Sequence, residues 1–231
     1  MKRQFGAPLG DWKPPATPLG QVLTGQYAEL EPLDATRHSS DLHAANQQDA
    51  AGDIWDYLPY GPFGSLDEYS AWVREIQGIG DPFFYAIKDL ETGRYCGVAS
   101  FLRINPASGS IEVGHINFAP ALQRTRAATE AMYLMMQWAF AAGYRRYEWK
   151  CDALNGASRR AALRLGLSYE GVFRQATVYK GRNRDTAWFA AIDKEWPTLQ
   201  EAYQSWLQPS NFDAAGGQKT SLGTFTAKAR I

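Results

Sequence analysis

The sequence predicts an α/β fold: a single mixed, mostly antiparallel sheet flanked by helices. Two observations support this prediction. Strand-like segments in the first half and near the end of the chain are joined by short turns, as in antiparallel hairpins. In the middle of the chain, strand-like segments alternate with helical ones, so the sheet is mixed in direction. The predicted order of elements is β-α-α-β-β-β-α-β-α-β-β, with one more helix at the end.

The first part of the chain predicts a strand and two helices. Residues 21–33 alternate enough to form a first strand. Asp34 or Thr36 can cap the helix that follows, over about 37–50. The segment Ser65-Leu66-Asp67-Glu68 matches a capping box, which opens the second helix.

The remaining strands are bounded by turn residues. Gly93 ends a hairpin connection where a positive φ is needed, and a second turn spans 105–109. A closing hairpin turns around 180–183, and the terminal helix spans 195–207. The predicted strands after the second helix are 83–88, 95–103, 111–118, 146–151, 168–179 and 184–192.

The flanking segments differ from this body in composition. Residues 1–20 carry four prolines and predict an extended arm, in which Trp12 anchors the arm to the body or to a neighbouring subunit of a homodimer. Residues 21–208 form one domain. Residues 209–231 are rich in Gly, Ala, Ser, Thr and Lys and predict a loosely ordered tail.

The totals exclude several classes of protein. A chain of 231 residues with 45% hydrophobic and 21% charged residues is typical of one large globular domain with extensions. Zero net charge gives no global field that would recruit nucleic acid. No apolar run reaches the roughly 20 residues of a membrane span, and no signal-peptide core is seen. Cys96 and Cys151 lie in predicted strands, which indicates reduced thiols and a cytoplasmic setting. With three histidines and two widely spaced cysteines, no metal site is expected.

The segment from Ile111 to Gly171 is the most informative about function. A strand runs through a proline and the basic turn Gln123-Arg124-Thr125-Arg126 into an apolar helix. A second strand runs into Asn155-Gly156-Ala157-Ser158, which opens another helix. Unpaired N–H groups and the helix dipole both favour an anion at a helix start. This segment therefore predicts a site for an extended phosphorylated ligand.

Each helix start allows two interpretations. Arg124 and Arg126 would bind a pyrophosphate, or Thr125 caps the helix and both arginines are solvated. Asn155 either caps its helix or binds an amide of the ligand, with Ser158 facing the reactive end of that ligand. The residues alone do not decide between these interpretations.

Taken together, these motifs resemble the GCN5-related N-acetyltransferase (GNAT) superfamily, and most of all its ribosomal-protein alanine acetyltransferase-like branch. The resemblance spans about 27–192. It rests on the order of elements and on motifs at the expected separations: Ile111-Glu112-Val113-Gly114-His115-Ile116-Asn117-Phe118, Ala128-Thr129-Glu130-Ala131, Cys151-Asp152-Ala153-Leu154-Asn155-Gly156-Ala157-Ser158, Arg164-Leu165-Gly166-Leu167-Ser168-Tyr169-Glu170-Gly171 and Gly181-Arg182-Asn183-Arg184-Asp185.

The resemblance implies acetyl-CoA or another acyl-CoA bound where the fourth and fifth strands of the family fold splay apart. The backbone of Ile116, Asn117 and Phe118 would pair with the pantetheine arm. Asn155 would bind that arm, and Ser158 would lie near the sulfur as the acid. The N–H groups that would hold the pyrophosphate belong to Arg124, Thr125, Arg126, Ala127, Ala128 and Thr129.

Two departures from the family pattern stand out. The phosphate turn of the family usually has glycines where this chain has Arg124 and Arg126, so the arginines crowd the turn or grip the phosphates themselves. Many members have a tyrosine near the end of the second helix where this chain has Ala162, and the acid role therefore moves to Ser158.

Acyl transfer to an amine also needs a proton acceptor, because an amine is mostly protonated at neutral pH. Glu112, acting through water by analogy with the family, and His115 are the candidates. Three residues apart on a regular strand, they point to opposite faces unless a bulge intervenes. The acceptor pocket would be built from five aromatic residues, which could also be ordinary core: Trp55, Tyr57, Tyr60, Tyr179 and Trp188.

The resulting hypothesis is an acyl-CoA-dependent N-acyltransferase that moves the acyl group directly to an amine in a ternary complex. Neither cysteine has an adjacent base in the sequence, which argues against a covalent route. The acceptor would be an amine-bearing small molecule, peptide or protein. The alternative hypothesis is a non-catalytic acyl-CoA-binding or sensing protein on the same fold.

Overall fold

A computed structural model describes residues 3–229. Eight strands among these residues form one sheet in the order β1-β2-β3-β4-β5-β6-β8-β7, and β5–β6 is its single parallel pair. The strands are β1 Leu23–Thr24, β2 Ala28–Pro32, β3 Phe83–Asp89, β4 Arg94–Asn105, β5 Ser110–Phe118, β6 Arg146–Asp152, β7 Ser168–Tyr179 and β8 Arg182–Ile192. The mixed, mostly antiparallel sheet predicted from the sequence is confirmed.

Helices cover both faces of this sheet. They are α1 Ala35–Asn46, α2 Leu66–Ile76, α3 Arg126–Ala141, α4 Gly156–Arg164, α5 Trp196–Leu207 and α6 Leu222–Thr226. The larger core joins the sheet to α3 and α5, and a smaller core joins the other face to α1 and α2. We call these the α3 face and the α1 face. None of the helices within 3–229 has the length and apolar character to cross a bilayer.

The predicted first strand is interrupted by a turn that holds a buried carboxylate. Glu130 of α3 accepts hydrogen bonds from the backbone N–H groups of Gln26, Tyr27 and Ala28 at 2.9, 2.5 and 2.8 Å. A Cβ on Gly25 would lie 2.4 Å from this carboxylate, so only glycine fits there. The three bonds fix the β1–β2 turn to α3.

The segment after α5 differs from the loosely ordered tail that its composition predicts. Leu222 and Thr226 of α6 are fully buried, and the Thr226 hydroxyl donates to the carbonyl of Arg164 at 3.1 Å. Asn211 is buried and bonds both to Trp206 and to Thr220. Few apolar residues are needed here because polar side chains satisfy the backbone of the segment.

The N-terminal arm contacts the body of its own chain. Residues 3–20 contain neither helix nor strand. The Trp12 indole donates to the carbonyl of Gly143 at 3.2 Å, and the Tyr144 hydroxyl donates to the carbonyl of Ala16 at 3.1 Å. Of the two sequence-based interpretations of Trp12, the structure shows anchoring to the body.

Replacing Glu130 by glutamine should destabilise the fold by about 2–3 kcal/mol, because three buried backbone donors would face a neutral amide. Denaturant unfolding at pH 7 measures the change. The matched control is Glu75→Gln on the exposed side of α2, expected within about 0.5 kcal/mol of wild type. Equal stability of the two variants would show that Glu130 does not hold the turn.

Candidate active site

The sheet forks between its two parallel strands. β5 and β6 pair only from Ser110–Arg146 to Val113–Trp149. Beyond these pairs, residues 114–118 stay with β4, while residues 150–152 stay with β8. The edges that face each other across the fork therefore have backbone groups free to bind an extended ligand.

A β-bulge in β5 lies at this fork. Val98 of β4 pairs with Asn117 and Ser100 pairs with Gly114, so Ala99 alone faces the two residues His115 and Ile116. His115 has a φ of 51°, in the left-handed region. The bulge shifts the alternation of side chains, so that Glu112 and His115 both lie on the α1 face. The sequence allowed both side chains on one face only if a bulge lay between Glu112 and His115, and the structure contains that bulge.

Glu112 is buried and held between two cations. Its Oε1 lies 2.6 Å from Nη1 of Arg103, and its Oε2 lies 2.8 Å from Nζ of Lys150. Burial raises the pKa of the Glu112 carboxyl, and the two cations oppose that rise. The carboxylate is thus fixed in position rather than free to move.

His115 packs against aromatic rings. Its Nδ1 lies 3.1 Å from the Tyr60 hydroxyl, and the two rings stack at 5.6 Å, with the ring of Phe84 also in contact. Burial, together with the positive charges of Arg103 and Arg184, lowers the pKa of His115 to about 4. The imidazole is therefore neutral at physiological pH, and a pKa this low makes it a weak proton acceptor.

The two arginines at the start of α3 lie in different environments. Thr125 caps the helix by accepting from the N–H of Ala128 at 3.0 Å. Arg124 is exposed and has a φ of 64°, the conformation that favours glycine. Arg126 is half-buried against the rings of Tyr27 and Phe212, at 4.6 and 5.1 Å. The helix is capped as one interpretation predicted, but Arg126 is packed rather than solvated.

The rest of the first α3 turns are buried. Ala127, Ala128 and Thr129 lie inside the protein. The hydroxyl of Thr129 accepts a hydrogen bond from Nη2 of Arg164 at 3.0 Å, which ties α3 to α4. Of the six N–H groups predicted to hold a pyrophosphate, three already have partners: Thr125 donates to the carbonyl of Leu122, Ala128 to the Thr125 hydroxyl and Thr129 to the Thr125 carbonyl. The N–H groups of Arg124, Arg126 and Ala127 remain available to an anion at this helix start.

The start of α4 is capped in the same way. Oδ1 of Asn155 accepts from the N–H of Ser158 at 2.9 Å, as the capping interpretation predicts. The Ser158 hydroxyl oxygen accepts from the indole Nε1 of Trp149 at 2.9 Å. Trp149 belongs to the α3-face core. Ser158 thus lies on the α3 face, opposite to Glu112, beside the last β6 residue that pairs with β5.

The three β5 residues expected to line the pantetheine lie on the diverging part of the strand. Ile116 and Phe118 pack against the α3-face core. Asn117 is buried, and its Nδ2 has no hydrogen-bond partner among the described residues. A buried unsatisfied donor is costly, so a ligand carbonyl at the fork would fit this residue.

The five predicted acceptor residues separate into core and cleft. Trp55 and Tyr60 pack in the α1-face core, and the Trp188 ring lies against Nζ of Lys150. The Tyr57 hydroxyl donates to the carbonyl of Leu154 at 3.4 Å. The Tyr179 hydroxyl donates to Asp152 at 3.0 Å, and burial raises its pKa to about 12. The structure therefore brings Tyr57 and Tyr179 to the carboxyl end of β6, beside the fork.

Sequence reasoning missed three residues of this site. Arg103 and Lys150 bind Glu112, and Trp149 binds Ser158. A signal existed for Lys150, since alternation along β6 places it on the same face as Glu148, in a strand otherwise rich in buried residues. Nothing local to the sequence marks the other two.

A sheet that forks between two parallel strands, with a helix start suited to an anion beside the fork, is the arrangement implied by the resemblance to acyl-CoA-dependent acetyltransferases. The family model described as an acetyltransferase (GNAT) domain matches residues 29–168. The chain therefore belongs to the GNAT family of N-acetyltransferases. No match was found among curated proteins.

Solved structures agree with this assignment. A GCN5-related N-acetyltransferase from Brucella melitensis is 45% identical with a TM-score of 0.92, covering 95% of this chain and 100% of that one. A probable acetyltransferase of the GNAT family from Chromobacterium violaceum ATCC 12472 is 38% identical with a TM-score of 0.78, covering 85% of this chain and 98% of that one. The microcin C7 self-immunity acetyltransferase MccE, solved with acetyl-CoA and AMP, shares the fold at 19% identity and a TM-score of 0.63, covering 73% and 93%.

Replacing His115 by asparagine, which tolerates left-handed backbone, should make the protein lose less stability when the pH is lowered from 7 to 5. Below an ordinary histidine pKa of about 6.5, the unfolded chain takes up a proton that the folded protein refuses until about pH 4. The free energy of unfolding of the wild type therefore decreases as the pH is lowered from about 6.5 to about 4. The contribution of His115 is on the order of 1–2 kcal/mol at pH 5.

Urea unfolding at pH 7 and pH 5 measures this difference within each variant, so a constant cost of substitution cancels. Tyr60→Phe is the control, because it removes the hydrogen bond at Nδ1 but keeps the titrating imidazole. An unchanged difference in His115→Asn would show that another group causes the acid sensitivity.

Proposed function

We propose that this protein is an acyl-CoA-dependent N-acyltransferase, with acetyl-CoA as donor, that transfers the acyl group directly to an amine in a ternary complex. One observation supports this most. The proposed acid Ser158 reaches the fork from the α3 face, whereas the proposed bases Glu112 and His115 lie on the α1 face. A donor lying in the fork and an amine approaching from the α1 face would meet between them.

The donor site follows from the free backbone at the fork. The residues 116–118 would pair with the pantetheine, and the N–H groups of Arg124, Arg126 and Ala127 would hold the pyrophosphate. The Asn155 amide nitrogen would bind the pantetheine arm while its oxygen caps α4. Bound acyl-CoA supplies an acyl group activated as a thioester.

The residues around the fork then handle two protons. Glu112, through a water molecule, would accept a proton from the attacking amine, and His115 is the alternative acceptor. The N–H of Ile116 would polarise the carbonyl. As the new C–N bond forms and the C–S bond breaks, Ser158 would donate its proton to the departing sulfur. Burial raises the pKa of both Cys96 and Cys151, which favours this route over a cysteine intermediate.

The acceptor would enter between the 53–64 loop and the β7–β8 hairpin. Lys180 at the tip of that hairpin donates to the carbonyl of Trp55 at 2.8 Å, so the two segments meet over the α1 face. Similar folds are found in RimL, a ribosomal L7/L12 α-N-protein acetyltransferase, and in a putative ribosomal-protein-serine acetyltransferase from Vibrio cholerae. A peptide or protein N-terminus and a small amine are therefore both acceptor classes to test, in a cytoplasmic setting.

Ser158→Ala should lower kcat roughly 100-fold, because the departing sulfur loses its proton donor. The affinity for acetyl-CoA should stay within about twofold of wild type. Thiol release with an amine panel measures the first quantity and calorimetry the second. The matched control is Ser205→Ala on the exposed side of α5. Equal activity of the two variants would remove Ser158 from the mechanism, and no binding of acetyl-CoA by wild type would contradict the proposed function.

The second candidate function is acyl-CoA binding without turnover. It is favoured by the two arginines at the phosphate turn, since Arg124 holds a conformation that glycine adopts without strain. Tight acetyl-CoA binding with no transfer to any amine or peptide tested would select it. Transfer to any acceptor would dismiss it.

Arg124→Gly and Arg124→Ala together decide whether the side chain or the backbone of this residue serves the phosphates. Both variants remove the charge, but only glycine relieves the positive φ, so it should be about 1 kcal/mol more stable than alanine. If the guanidinium grips the pyrophosphate, calorimetry should show both variants binding acetyl-CoA roughly tenfold more weakly. Binding that glycine preserves or improves would mean that the backbone N–H groups suffice.

A further inference from the structure

Lys150 is a buried cation in contact with two carboxylates. Its Nζ lies 2.8 Å from Oε2 of Glu112 and 2.8 Å from Oε2 of Glu148. The side chain is 8% exposed, and Nζ lies 3.7 Å from the centre of the Trp188 ring. Two charge-assisted contacts and a cation–π contact together replace the water that this ammonium gives up.

The position of Lys150 in the sheet is as specific as its contacts. It is the first residue of β6 beyond Val113–Trp149, which is the last β5–β6 pair. The pairing of β6 with β5 therefore stops one residue before Lys150, while its pairing with β8 continues. Its side chain reaches back from β6 to Glu112 on β5, so an ion pair closes the apex of the fork.

The carboxylate of Glu112 belongs to a chain of alternating charges on the α1 face. The groups that face it come from two neighbouring strands: Arg103 on β4, and Lys150 with Glu148 behind it on β6. His115 lies on the same face three residues further along β5. Beyond Glu148 the chain continues to the edge strand β7, and its members in order are Arg103, Glu112, Lys150, Glu148, Arg146 and Glu170.

Burial acts against a proton-accepting role for Glu112. It raises the pKa of the carboxyl, and a carboxyl that stayed protonated could take no proton from an amine. Lys150 and Arg103 both oppose this effect. Arg103 is 61% exposed and therefore screened by water, whereas Lys150 is enclosed. Most of the compensating charge thus comes from Lys150.

We propose that Lys150 is a positioning residue, which holds the Glu112 carboxylate at the apex of the fork in its charged form. This inference rests on the proposed function, in which Glu112 accepts a proton from the acceptor amine. Neither Glu148 nor Trp188 touches the reacting atoms in this scheme. They fix the ammonium that in turn fixes Glu112.

The test titrates Glu112 directly as well as through activity. Carbon-13 NMR of glutamate side-chain carboxyls, with the Glu112 signal assigned by its loss in Glu112→Gln, needs neither acyl-CoA nor acceptor. Lys150→Met should raise the titration midpoint of Glu112 by about one to three pH units. The acid limb of kcat/KM against pH should move up by the same amount. Lys150→Arg, which keeps the charge, should restore both, and Arg103→Met should shift both less than Lys150→Met.

The outcomes separate this inference from the proposed function. An unchanged Glu112 midpoint in Lys150→Met would overturn the inference, and so would a raised midpoint with an unmoved acid limb. A raised midpoint in a protein whose wild type transfers no acyl group would support the ion-pair role and contradict the proposed function. If Lys150→Met fails to fold, Lys150→Met/Glu148→Gln also removes the charge of the second carboxylate that faced the ammonium, and it carries the same expected shift.

Discussion

The separation of β5 from β6 is the constraint on which the site depends. Each strand is held by its other neighbour, β5 by β4 and β6 by β8, along the stretch where the two diverge. The sheet cannot close the gap without breaking one of those ladders. Backbone groups that would be costly to bury without partners are thus kept unpaired at one defined place. A site of this kind needs no flexible loop to create it.

The bulge at His115 determines which β5 side chains lie on each face of the sheet beside that gap. By adding one residue to β5, it brings two titratable side chains to one face and leaves Ile116 on the other. Ser158 approaches from the α3 face, fixed by the indole of Trp149. The proposed proton donor and the proposed proton acceptors therefore lie on opposite faces of the sheet.

Much of the fold could be predicted from the sequence because its signals are local. Apolar alternation indicated the strands, and Thr125 and Asn155 indicated the helix starts they cap. The bulge could not be predicted, because its left-handed residue is a histidine rather than a glycine. The partners of Glu112 were missed because they lie on neighbouring strands, 9 and 38 residues away in sequence. Such contacts depend on the register between neighbouring strands, which the sequence of one strand alone does not determine.

The arginines at the phosphate turn show the same limit. The sequence presents Arg124 and Arg126 as a matched pair, yet one is exposed on left-handed backbone and the other packs between two aromatic rings. Their difference arises from tertiary neighbours that lie far along the chain. One of these, Phe212, belongs to the segment after α5.

That contact with Phe212 bears on where the functional unit ends. A shortened chain stopping at residue 208, the boundary suggested by composition, would remove one of the two rings that hold Arg126 and would uncover the sides of α4 and α5 that α6 now covers. The Arg126 guanidinium would then lie against the Tyr27 ring and the Glu91 carboxylate, 3.6 Å away, without the second ring. Donor affinity measured on such a fragment would describe a different phosphate turn, so residues 209–229 belong with the catalytic body in any dissection of this protein.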